Sequence, residues 1–198
     1  SKKPFIIYKS DEGFDLYTDF SKKIILNNNN IEKFINKNTK LKSIHKETDL
    51  FIGFFGYEIL NNLIDVKIKK QKTINFPKGI FYKPETKVKF SNNLEYKKNT
   101  SSNSNDLFKI NINKKSYKVI FDKFKKKIKS GETYQIKICT KYSNKSEIDA
   151  LDFFCRLVKS NMAPEAFMIK DKNYSIISCS PENLITKKNN FITTKPIA

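Results

Sequence analysis

The chain alternates short apolar runs with polar breaks from its start: "FIIY", "FDLY" and "KIIL" between Lys3 and Ile25 read as strands joined by short turns. "NNIEKFINKN" has the spacing of a short helix. In "DLFIGFFGYEIL" apolar residues flank Gly53 and Gly56 on both sides, the pattern of a buried strand whose glycines let another backbone come close, or of a bulge before a helix. Strand character returns at Ile80 to Tyr82 and at Lys87 to Phe90. The segment "SNNLEYKKNTSSNSND" then loses all apolar periodicity and reads as an exposed seam between a subregion 1–100 and a subregion 101–198.

Beyond the seam the period changes to that of a helix. Tyr117, Ile120, Phe121, Phe124 and Ile128 form one stripe, with Ser116 as the expected N-cap, Ser130 and Gly131 as the stop, and lysine on nearly all of the opposite face. "ETYQIKICTKYS" alternates as a strand. "SEIDALDFFCRLVKS" reads as a helix capped by Ser146, with Ile148, Leu151, Cys155 and Val158 on its stripe. Three strands are expected to close the chain, "EAFMIK", "YSIISCS" and "NFITTKPI", with "PENLITKKNN" linking the last two. Helices interleaved with quick successions of strands predict an α+β fold with a mostly antiparallel sheet, packed helices and no internal repeat.

Composition narrows the possibilities. The chain has 198 residues, 38% hydrophobic and 13% aromatic, which suits a folded chain. No apolar run approaches the roughly 20 residues of a membrane helix, and the N-terminus has no secretory pattern, so the expected location is the cytoplasm. Cys139, Cys155 and Cys179 form no C-x-x-C pair and read as small buried side chains. His45 is the single histidine and lies in a polar stretch, which disfavours a Ser-His-Asp or Cys-His engine. The net charge of +19 suggests phosphate binding at first sight. Its source argues against this: Arg156 is the single arginine, and the lysines are spread along the whole chain rather than gathered in a patch. A basic nucleic-acid-binding module is therefore the distant alternative.

Three strings are awkward for pure structure. "GETYQIKICT" sets Gln135 where an amide can point at a ligand; "SCSPENL" sets Glu182 at a strand end, from which a carboxylate can project into a cleft; "TTKPIA" is the third. There is no Gly-rich phosphate loop and no pair of metal ligands at recognisable spacing.

In order, "FIGFFGYEIL", "GETYQIKICTKYS", "NMAPEAF", "SCSPENL" and "TKPIA" resemble the motifs of the chorismate-utilising enzymes, which include anthranilate synthase and aminodeoxychorismate synthase components I and the isochorismate and salicylate synthases. Sixteen residues separate Glu182 from Ala198, the step this family uses between its last two motifs. The resemblance implies that Glu182 is an active-site carboxylate and that Thr194, Lys195, Pro196, Ile197 and Ala198 line the substrate floor. Where the water-using branch carries a lysine this chain has Gln135, a neutral amide that can orient ammonia but cannot activate water. Where aminodeoxychorismate synthases carry a nucleophilic lysine it has Ala198, which favours direct amination to anthranilate. Lys137 leans the other way, toward the aminodeoxychorismate branch. Pro164, Glu165 and Ala166 fall on the family's effector segment, with Glu165 in place of an aromatic. The resemblance further implies chorismate as substrate, ammonia from a glutaminase subunit, and magnesium held by glutamates that come after the P-I-A motif. The expectation is an N-terminal portion of such an enzyme, truncated at the C-terminus and unable to turn over chorismate by itself.

Overall fold

The computed structural model describes residues 3–10, 12–39, 46–59, 64, 76–91, 107–188 and 190–196. The chain divides into two compact units, Ser1–Lys97 together with Ala150–Ala198, and Lys98–Asp149. The fold is α+β.

The first unit is built on one six-stranded sheet. The first three apolar runs give two strands: β1 (Phe5–Ser10) turns back into β2 (Gly13–Ile25), which absorbs both "FDLY" and "KIIL". Gly13 makes the turn possible, with a φ of 137° and a site where a Cβ would meet the Phe90 carbonyl oxygen at 2.1 Å. After helix α1 (Ile31–Thr39) come β3 (Ile52–Phe55), a single 3₁₀ turn (Tyr57–Ile59) and β4 (Gly79–Phe90), one continuous strand where the sequence suggested two. Helix α3 (Ala150–Asn161), β7 (Glu165–Lys170) and β8 (Ser175–Ser180) belong to the same unit. The strand order is β3-β4-β2-β1-β7-β8, and every pairing is antiparallel. The sheet thus joins strands from both sides of the seam near residue 100.

Alternation sorts the side chains onto two faces. Ile6, Tyr17, Ile80, Tyr82 and Ile169 form one buried cluster; Ile7, Phe14, Ala166 and Met168 form another with Phe154 of α3, whose ring meets Phe14 edge to face. A third cluster places Ile31 of α1 against Leu26, Ile59 and Phe81. Gly53 is the close approach its sequence context suggested: a Cβ there would lie 1.9 Å from the Ile80 carbonyl oxygen of β4. The β2–β4 register breaks between Phe20 and Lys22, next to Asp19 at a φ of 50°.

Helix α3 begins at Ala150, later than the Ser146 cap predicted. Ile148 stays half exposed, so winding the four preceding residues would bury nothing; burial is concentrated on Phe154, with Leu151 and Val158 beside it. Asp152 in the first turn pairs with Arg156 one turn on, at 2.9 Å. "PENLITKKNN" is a second departure. It is itself a strand, β9 (Asn183–Lys188), and it pairs with β10 (Phe191–Lys195) as a separate two-stranded hairpin.

In the second unit, β5 (Lys109–Ile110) pairs with β6 (Tyr142–Ser143), and α2 runs from Lys114 to Lys129. Its N-cap is Asn113 rather than Ser116: the Asn113 side chain accepts the Ser116 N–H at 2.8 Å, and its backbone is extended. Both residues are good caps, and the one upstream stops the helix first. Gly131, at a φ of 77°, ends it. The alternating stretch from Glu132 to Lys141 forms no strand; only Tyr142 and Ser143 find a partner. A strand exists by its ladder, and alternation without a neighbouring strand is not sufficient.

Candidate functional site

The site is assembled from the end of β8 and the β9–β10 hairpin. Ser180 closes β8 in register with Glu165 of β7. Pro181 has no N–H to continue a ladder, and the chain turns. Ser180 Oγ stabilises the turn twice, donating to the Glu182 carbonyl at 2.8 Å and accepting the Glu182 N–H at 3.3 Å. Glu182 is exposed at the turn. The next residue, Asn183, opens β9 and lies opposite Lys195 of β10, while Thr194 Oγ1 donates to the Leu184 carbonyl at 2.8 Å. Glu182, Thr194 and Lys195, sequence-distant candidates, therefore share one hairpin and its turn. Pro196 follows, exposed. Ile197, Ala198 and His45 lie outside the described residues.

The segment after α3 reaches the same place. Met162, at a φ of 46°, reverses the chain, and Ala163 is buried beneath it. Lys9 Nζ donates to the Ala163 carbonyl at 2.5 Å, and the Tyr8 hydroxyl donates to Glu165 Oε2 at 2.7 Å. Glu165 Oε1 accepts the Asn183 amide, also at 2.7 Å. Of the three candidate effector residues, Glu165 thus has both carboxylate oxygens engaged, Ala166 is 1% exposed in the core, and Pro164 is on the surface. Burial pushes the nearby Cys179 thiol up, opposed by the charge of Lys9. Tyr8, Lys9 and Asn183 are the residues that reading the sequence missed. The signal was there in the polar end of "FIIYKS", where neighbouring strand positions send Tyr8 and Lys9 to opposite faces.

Gln135 belongs to the other unit. It is exposed in an irregular stretch, and its carbonyl accepts the Thr133 hydroxyl at 3.1 Å.

A second polar cluster lies in the turn between β7 and β8. Asp171, 5% exposed, accepts hydrogen bonds on Oδ2 from the Tyr82 hydroxyl, from Lys23 Nζ at 2.5 Å and from the Tyr174 hydroxyl at 3.2 Å, while Oδ1 accepts the Lys172 N–H at 2.6 Å. Burial by itself raises this carboxyl, but the bonds from Lys23 and Tyr82 outweigh it and hold Asp171 down at about 2. Burial also pushes the Tyr82 and Tyr174 phenols upward, so both remain protonated donors. The cluster is satisfied internally and ties β2 and β4 to the β7–β8 turn. A largely apolar cavity of about 660 Å³, lined by Phe5, Ile7, Leu16, Phe90 and Leu151 among others, contains none of the candidate residues. Among the described residues no three His, Cys, Asp or Glu side chains converge to hold a metal ion, and no helix is long and apolar enough to cross a membrane. The magnesium implied by the resemblance has no ligand set among them.

The family model described as chorismate binding enzyme matches residues 3–198. An anthranilate synthase component I-like protein of Synechocystis is 22% identical over 173 residues, covering 75% of this chain and 36% of that protein. Anthranilate synthase component 1 of Buchnera aphidicola is 27% identical over 193 residues, covering 94% of this chain and 34% of the relative. Aminodeoxychorismate synthase component 1 of Salmonella typhimurium is more similar but over less: 34% identity across 68 residues, 34% of this chain and 15% of that enzyme. The chain spans little more than a third of the length of the anthranilate synthase relatives it matches, 36% of the Synechocystis protein and 38% of the Thermococcus kodakarensis enzyme, and less of the aminodeoxychorismate synthases.

Proposed function

Because the chain belongs to the chorismate-binding enzyme family, we propose that it serves in a chorismate aminase of the anthranilate synthase component I type. In this reading ammonia adds at ring carbon 2 as the hydroxyl on carbon 4 departs as water, and elimination of pyruvate leaves the aromatic anthranilate. The observation that carries the proposal is the hairpin, which sets the turn bearing Glu182 beside Thr194 and Lys195 as one surface. Glu182 moves a proton or organises polar groups near the ring, Gln135 orients ammonia, and the strand from Thr194 onward forms the substrate floor. A methyl group at Ala198 offers no nucleophile, which favours direct addition of ammonia over a covalent intermediate. Ammonia comes from a glutaminase subunit, magnesium is bound by residues other than those described here, and the reaction takes place in the cytoplasm.

A second reading, aminodeoxychorismate synthase component I, is favoured by Lys137 and by the local similarity to the Salmonella enzyme. One experiment separates them. The polypeptide as the cell makes it is given chorismate, ammonium and magnesium, and the products are resolved by chromatography. Anthranilate and pyruvate support the first reading and 4-amino-4-deoxychorismate the second; failure to consume chorismate overturns both. Under either, Glu182→Gln lowers turnover by roughly 100-fold or more.

A further inference from the structure

The turn bearing Glu182 follows directly on Ser180, the last residue of β8, which lies in register with Glu165 of β7. The two contacts made by Ser180 Oγ are local and shape the turn. The hairpin that follows is separate from the six-stranded sheet, and every described residue of β10 is exposed. Glu165 supplies a connection. It stands at the first position of β7, half-buried, with one oxygen taken by Tyr8 of β1 and the other by Asn183, the residue directly after Glu182. Asn183 Oδ1 accepts the Thr186 hydroxyl at 3.2 Å, so the amide is oriented from both ends.

From this geometry we infer that Glu165 is a positioning residue: its carboxylate clasps Tyr8 and Asn183 together and so holds the far side of the turn, residues 182–183, against the central sheet. A carboxylate suits the task because it accepts at two oxygens at once, and hydrogen bonds to a charged acceptor are short and strong. A glutamine can accept at one end only; its other end is a donor facing the donor amide of Asn183. The consequence for Glu182 rests on the function proposed above, whereas the clasp does not.

The test is amide hydrogen exchange on the full 198-residue chain, read segment by segment. Glu165→Ala raises exchange in residues 182–188 and 191–195 by roughly tenfold or more, as expected for loss of a charged hydrogen bond, while the β1–β2 hairpin changes by less than about twofold. Glu165→Gln gives a smaller rise. The double substitution Glu165→Gln with Asn183→Asp restores protection, because the new amide donates to the new carboxylate and its carbonyl still accepts from Tyr8. Three results overturn the proposal: unchanged exchange in Glu165→Ala, an equal loss across the whole sheet, or no recovery in the double substitution. Should the clasp pass while Glu182→Gln leaves chorismate consumption intact, the functional reading fails and the positioning inference stands.

Discussion

The central sheet and helix α2 carry equally clear amphipathic patterns, and the structure treats them in opposite ways. In β1 and β7 alternate positions go to two buried clusters, and Ile6, Ala166, Met168 and Ile169 are each about 1% exposed. In α2 the stripe of Tyr117, Ile120, Phe121, Phe124 and Ile128 has the periodicity of a packed helix, yet none of its described side chains is buried, and Phe121 is 46% exposed. The hairpin resembles α2 in this respect, with Leu184 and Phe191 at 85% and 79%. A hydrophobic period therefore states which face of an element is meant to be covered. Whether it is covered depends on what stands opposite, which no single element specifies.

Substitutions in the sheet core should sharpen the contrast most. Phe154 is fully buried, and its ring packs on Phe14 and on Ala166 and Met168 of β7. Phe154→Ala should cost about 3–5 kcal/mol, through lost burial and the cavity left behind. Chemical denaturation of the two chains checks this; a loss below about 1 kcal/mol would mean that α3 is not held by this ring.

The polar cluster under the same sheet gives the next effect, with a defined sign. The carboxyl of Asp171 sits at about 2 in the folded protein, below its ordinary 3.8, so it stabilises the fold at every pH above the ordinary value. That stability is lost as pH falls through about 4 toward 2, because protonation removes the charge that pairs with Lys23 and weakens the acceptor for Tyr82. The total is on the order of 2 kcal/mol. Asp171→Asn should flatten the acid limb of a denaturation profile between pH 2 and 4.

The comparison also explains how much could be read in advance. The α+β class, most strands, the helix of "IEKFINKN" and the role of Gly53 follow from local period and turn chemistry. The misplacements at Ser116 and Ser146 arise because several cap-forming residues stand in a row, and burial decides which one acts. The strand expected from Glu132 failed because alternation is a property of the segment, whereas a ladder needs a second strand. The candidate site was legible as motifs, Glu182 and Thr194 to Lys195 included. Its clasp was not: Tyr8 and Glu165 are 157 residues apart, and only the β1–β7 pairing makes them neighbours.

The smallest expected effect is the most pointed test of the contrast. Phe121 and Val119 are large apolar residues on α2, at 46% and 64% exposure, and the Phe121 ring stacks on its helical neighbour Tyr117 with Lys125 as a cation over its face. Replacing either with Gln puts a better helix former in its place and removes little buried area, so the stability of the 198-residue chain should change by no more than about 0.5 kcal/mol. A small effect at Phe121 would mean that the stripe is a solvated face despite its period. A loss of roughly 1–3 kcal/mol for Phe121→Gln, the usual worth of a buried aromatic side chain, would mean that this face is packed, and that the sheet and the helix do not differ as described.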